Sequence, residues 1–186
     1  MAMPHAAADW NVEMVHALPD DGNRYEIIDG ELFVNPAPRL LHQAAVLQLL
    51  LRLDPYVRAN RLGMVLASPA DIIFDARTLV QPDVFVSLPF EGRRPREWRE
   101  VELLLAVEVL SPSSQRADRT VKRRLFQRER VPEYWIVDLD ARLVSRWRPD
   151  DARPEEIDKR LDWAPAAVVE PLHIDLALFF DELTSL

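Results

Sequence analysis

Three acidic residues and one lysine stand where residues of their type are costly or deliberate. Residues 103–114 read LLLAVEVLSPSS, an apolar run interrupted only by Glu108 and stopped by Ser-Pro-Ser-Ser. Such a run predicts a strand buried on both faces. An unpaired carboxylate there costs several kcal/mol or more, so Glu108 requires a partner, a metal or a raised pKa. Asp83 follows Pro82 in LVQPDVFVSLP and precedes a β-rich run. Glu31 opens the second half of DGELFV. Lys122 lies in QRADRTVKRRLFQRER, about two helical turns beyond the stop.

Together these residue types can do metal-assisted phosphodiester chemistry. Two carboxylates at neighbouring strand ends make a hard oxygen site that suits Mg²⁺ or Mn²⁺. Mg²⁺ keeps waters and takes a substrate phosphate, so two or three protein ligands suffice. The ion offsets the cost of burying Glu108, activates bound water and neutralises phosphate charge. A nearby lysine orients or deprotonates the water and adds positive charge. Arg116, Arg119 and Arg123 on the same helix would hold flanking phosphates.

Each residue also has a plainer use. Asp83 can cap a turn after Pro82, and Glu108 can meet an arginine at the strand's end. Lys122 can be one more cation on a solvated helix face. Glu31 can simply follow a tight turn, and His42 can be a polar residue at a helix N-terminus.

The elements that must position these groups are legible in outline. Residues 9–18 predict a short helix before the PDDGN turn. Tyr25–Ile28 and Glu31–Val34 predict a hairpin joined by Asp29-Gly30. Residues 39–58 predict a largely buried helix. Residues 64–67, 71–74 and 79–86 read as strands, and 101–110 as the central strand. Residues 115–130 predict an arginine-rich helix with Val121, Leu125 and Phe126 as its apolar stripe. Residues 131–149 predict a strand, a turn at Asp140-Ala141 and a second strand. One strand near 166–169 and a helix at 175–184 close the chain. This order predicts an α/β fold with a mixed sheet flanked by helices. It divides as an N-terminal helix and hairpin (1–38), a core (39–148) and a C-terminal extension (149–186) of one domain.

The bulk numbers bound the function. At 186 residues, 48% hydrophobic and 29% charged, the chain has the balance of a soluble globular protein. It has no cysteine, which excludes disulfides and thiolate metal sites. There is no apolar run of the roughly 20 residues that span a bilayer, and the N-terminus lacks the pattern of a signal peptide. A cytoplasmic location is expected. The net charge of −8 argues against non-specific coating of nucleic acid. Residues 115–130, however, hold seven basic and two acidic groups.

The segments ALPDDGNRYEIIDGEL, QPDVFV, VEVLSPSS, ADRTVKRRLF and VPEYWIVD, in this order, span about residues 17–138. In them the chain resembles the Uma-type restriction endonuclease family of the PD-(D/E)XK nuclease superfamily. The resemblance implies a restriction-endonuclease-like core with an N-terminal helix and β-hairpin. It implies that Asp83 and Glu108 bind metal, with the carbonyl of Val109 completing the shell. The superfamily places a lysine two residues after the glutamate, and here that residue is Leu110. The resemblance moves the role to Lys122. It makes Glu31 the acid of the N-terminal hairpin and gives His42 an accessory position. The implied activity is Mg²⁺- or Mn²⁺-dependent DNA cleavage by a homodimer, with no membrane and no small-molecule cofactor. A catalytically weak DNA-binding module on the same scaffold is the alternative. A metal-free glycoside hydrolase with two carboxylates is a third, which the absence of an aromatic carbohydrate groove disfavours.

Overall fold

The computed structural model of the protein describes residues 9–89, 101–111, 115–165 and 170–184. Its larger sheet has six strands. In spatial order these are β10 (Glu155–Ile157), β9 (Leu143–Trp147), β8 (Glu133–Asp138), β7 (Leu103–Val109), β6 (Val84–Ser87) and β3 (Met64–Ala67). A smaller sheet runs β2 (Glu31–Asn35), β1 (Arg24–Ile28), β5 (Thr78–Val80) and β4 (Ile72–Asp75). β11 (Arg160–Trp163) and β12 (Leu172–Asp175) form a separate pair. The helices are α1 (Val12–His16), α2 (Leu40–Ala59), α3 (Arg123–Arg128) and α4 (Leu176–Thr184), and a π-helical turn at Ala117–Lys122 leads into α3. The result is the mixed, helix-flanked α/β architecture expected. Among the described residues no helix is long and apolar enough to cross a membrane.

β7 is the central strand that its sequence predicts. It pairs antiparallel with β6 and parallel with β8, and the parallel step carries the π turn and α3 as its crossover. Alternate residues serve opposite faces. Leu105, Val107 and Val109 pack with α2 and α4, whereas Ala106 and Leu110 pack with Leu125, Phe126 and Tyr134. By the same alternation Glu108 faces the α3 side.

The Asp29-Gly30 hairpin also forms as expected. Both residues have positive φ, 53° and 84°, as a two-residue turn between twisted strands demands. On α2 the buried residues are His42, Ala45, Val46, Leu49, Leu53 and Val57, a single stripe at helical spacing. Leu40, Leu47 and Leu51 on its other side are exposed, so α2 is less enclosed than its composition suggests.

Two expectations need correction. Residues 79–86 read as one strand, but the structure breaks them at Gln81-Pro82-Asp83. Pro82 has no N–H to give a ladder. β5 therefore ends in the smaller sheet and β6 begins in the larger one. Ser68 clips this corner, its Oγ donating to the Pro82 carbonyl at 2.6 Å. The C-terminal third holds more strand than expected. The strand read near 166–169 lies outside the described residues, and β10, β11 and β12 were not anticipated. Leu161, Trp163 and Ile174 join the α4 residues Phe179 and Phe180 in the core beneath α2, so residues 149–186 help to build that core.

Phe126 anchors α3. It is fully buried, with its ring 4.7 Å from that of Tyr134 and 6.3 Å from that of Phe74. Phe126→Ala is expected to lower stability by about 3–5 kcal/mol, measured by urea unfolding. A loss below about 1 kcal/mol would mean that α3 is not seated through this ring.

Candidate active site

The break at Pro82 places Asp83 immediately before β6. The β6–β7 register pairs Val84 with Val107, so one step further Asp83 lies across from Glu108. Neighbours across an antiparallel pair point to the same face. Asp83 is 4% exposed and accepts three hydrogen bonds. Its Oδ2 is held by the Val109 backbone N–H at 2.9 Å and by His42 Nε2 at 3.0 Å. Its Oδ1 accepts from Arg24 Nη1 at 3.0 Å. Burial acts to raise the Asp83 pKa, but the bond and charge of His42, the Arg24 guanidinium and the Val109 N–H outweigh it and hold the carboxyl at about 2.

Glu108 meets Lys122, whose Nζ donates to Oε1 at 2.8 Å. The same Nζ is 2.9 Å from Glu26 Oε1 and 3.7 Å from Asp118 Oδ1. All four side chains are at most 4% exposed. Desolvation pulls the Lys122 pKa down, but Glu108, Glu26 and Asp118 overcome it and hold the ammonium well above its ordinary value. The Glu108 carboxyl is also pushed well above its ordinary range. Burial is the main cause; Lys122 opposes it, and Asp83, Asp118 and Glu26 reinforce it. The two directions agree, because a site with more carboxylates than cations favours keeping protons on both kinds of group.

Each partner has a local reason for its position. β1 alternates so that Arg24, Glu26 and Ile28 share one face. Glu26 is fixed by the Gln81 backbone N–H at 2.6 Å and by Asn35 Nδ2 at 2.7 Å. The break that carries Asp83 therefore also anchors Glu26. The π turn holds both Asp118 and Lys122 buried, and the buried Tyr134 hydroxyl donates to the Asp118 carbonyl at 3.1 Å. Single π turns inside helices are frequent at functional sites.

The structure thus brings together Asp83, Glu108, Val109, Lys122 and His42. It does not bring Glu31, which is exposed beside the hairpin turn opposite Ile28. The hairpin acid in the cluster is Glu26. Arg24 and Asp118 also went unread. Of the three arginines, Arg116 is exposed. Arg119 is bound to Asp138 at 2.5 Å, just beyond the strand residue that pairs with Val109. Arg123 turns instead to Gln127 and to the face of Trp147. Ser111 is described, but the following residues 112–114 of the SPSS stop lie outside the described residues.

The donor set fits a hard divalent cation. Glu26, Asp83, Glu108 and Asp118 are buried carboxylates, and Lys122 and Arg24 answer them. Counted as four carboxylates against two side-chain cations, the formal charge is −2. Among the described residues no group of three or more acidic or histidine side chains is arranged to hold a metal ion; Lys122 engages Glu26, Glu108 and Asp118, and Arg24 engages Asp83.

The family model described as Uma2, "Putative restriction endonuclease", matches residues 12–177. The chain belongs to the Uma2 family. A solved structure titled a putative nuclease belonging to DUF820, from Anabaena variabilis, superimposes with a TM-score of 0.72 at 21% identity. The match covers 94% of this chain and 99% of that one, and at this identity it speaks to the fold. No curated protein matches the chain. Within this Uma2 chain the cluster joins β1, the Pro82 corner, β7 and the π turn, and all lie inside the matched span.

Lys122→Met is expected to lower stability by about 3–5 kcal/mol, since it leaves buried carboxylates uncompensated. Arg119→Ala, at an exposed pair, is expected to cost under about 1 kcal/mol. Urea unfolding of both variants measures the contrast, and equal losses would contradict the placement of Lys122 at the centre of the cluster.

Proposed function

We propose that the protein is a Mg²⁺- or Mn²⁺-dependent DNA endonuclease that hydrolyses phosphodiester bonds without a covalent intermediate. The observation that carries this reading is the convergence of three buried carboxylates, Glu26, Glu108 and Asp118, on the buried Lys122, with a fourth, Asp83, across from Glu108. Membership of a restriction endonuclease family supports it.

Asp83, Glu108 and the Val109 carbonyl would hold the cation, with Glu26 beside them. When bound, the ion supplies Lewis acidity to the phosphodiester and to the attacking water. His42 and the Val109 N–H fix the orientation of Asp83. Lys122 keeps its proton, so it serves as a hydrogen-bond donor that orients water and stabilises charge on the phosphate. Glu26 and Asp118 hold that ammonium in place. Arg116 lies exposed on the same helix, where it can take a flanking phosphate. Restriction-like nucleases often cut the two strands of a duplex with two such centres, and a homodimer belongs to this reading by that analogy. A cytoplasmic location belongs to the same reading.

Leu110, where the superfamily places its lysine, is buried in apolar surroundings. This favours, as a second reading, a scaffold that binds DNA and cleaves it weakly. Plasmid DNA with Mg²⁺ or Mn²⁺ separates the two. The wild type is expected to nick plasmid, and Asp83→Ala and Glu108→Ala to lose about 100- to 1,000-fold in rate. Wild-type cleavage no faster than that of Glu108→Ala, with DNA binding retained by both, would establish the binding module instead.

A further inference from the structure

The two oxygens of Asp83 are held in different ways. Oδ2 is gripped by a backbone N–H and by a histidine that is itself buried. Oδ1 meets Arg24, whose side chain is 24% exposed where that of Asp83 is 3%. Arg24 is the first residue of β1, on a long flexible stem, and interacts electrostatically with Asp83, Glu108 and Glu26. Its Nε is enclosed and has no hydrogen-bond partner among the described residues. A guanidinium is built for bidentate contact with planar or tetrahedral oxyanions, and this one spends a single Nη1 donor on Asp83. Lys122 differs, since three carboxylates surround it and it is 4% exposed.

We propose that Arg24 is an exchangeable counter-ion of the site. Its guanidinium holds Asp83 Oδ1 while no divalent cation is bound, yields that oxygen to the cation, and then engages the phosphodiester through its fork. This rests on the metal-centre reading above and adds a group that reading does not use. Arg24 lowers affinity for the free ion, because a positive charge must be displaced for it to enter, and raises affinity for DNA once the ion is in place. Ion loading and DNA loading become coupled through one side chain.

The test compares the full-length wild type with Arg24→Met, and with Arg24→Gln as a second variant that keeps a polar contact to Asp83. Calorimetric titration with Mn²⁺ alone is expected to show roughly tenfold or greater tightening in both variants, since a cation within a few ångströms is removed. Titration of a duplex oligonucleotide in Ca²⁺ is expected to show weaker binding. The dependence of log affinity on log salt should be shallower by about one. Mn²⁺ affinity that is unchanged or weaker in both folded variants overturns the exchange. Unchanged DNA affinity and salt slope overturn the phosphate contact. Glu108→Ala is carried alongside. If neither wild type nor variants bind Mn²⁺, the metal-centre reading fails and takes this inference with it. If all except Glu108→Ala bind it equally, only the role of Arg24 falls.

Discussion

One buried ammonium ties the architecture together. Lys122 is bound at once by Glu108 of the larger sheet, by Glu26 of the smaller sheet and by Asp118 of its own π turn. An ammonium cannot stay charged away from water without such partners, nor can the carboxylates without it. The relative placement of the two sheets and the crossover helix is therefore held by a contact that tolerates little displacement. Apolar packing around Phe126 and Tyr134 holds the same helix, but apolar contacts admit sliding that a hydrogen-bonded charge does not.

Pro82 is the second constraint, and it acts by what it lacks. A strand that continued from residue 79 to 86 would place its residues in one sheet and bury Asp83 within a ladder. The missing N–H ends pairing, so the chain passes from β5 to β6 with Asp83 at the corner. The Gln81 N–H, now outside any ladder, is free to hold Glu26. One backbone break thus sets two carboxylates, and the β6–β7 register sets the third across from Asp83.

Much of this was legible in the sequence, and the misses have physical causes. Glu108 declared itself because an acid inside an apolar run needs an explanation. Asp29-Gly30 declared the hairpin because few other pairs accept two positive φ values. Glu26 carried the same signal as Glu108, an acid flanked by Tyr25 and Ile27-Ile28, but the run was too short to stand out beside Glu31 next to the turn. Had Glu26 been found, the two-residue period would have put Arg24 on its face. Asp118 lies four residues before Lys122 and was readable as a partner only once Lys122 was known to be buried. The strands β10 to β12 were missed because EEI, RLDW and LHID are only three or four residues long, so the alternation in the last two is too brief to stand out and is fixed by their neighbours. The engagement of Arg119 with Asp138 and of Arg123 with Trp147 depends on tertiary neighbours that charge counting does not see.

The surplus of buried carboxylates is itself an argument about function. A protein selected only for stability would gain by replacing such a cluster with packed apolar residues of similar volume. Here four acids are buried around two side-chain cations, in a chain whose net charge of −8 already opposes binding to a polyanion. On the proposed function, both disadvantages would be relieved by a divalent cation. It would neutralise the formal charge of the cluster and convert a repulsive pocket into one that attracts phosphate. Arg116 on the same helix would then favour DNA close to the cluster rather than over the whole surface. On this reasoning the acidic composition restricts binding to the one place where a cation can reverse its sign.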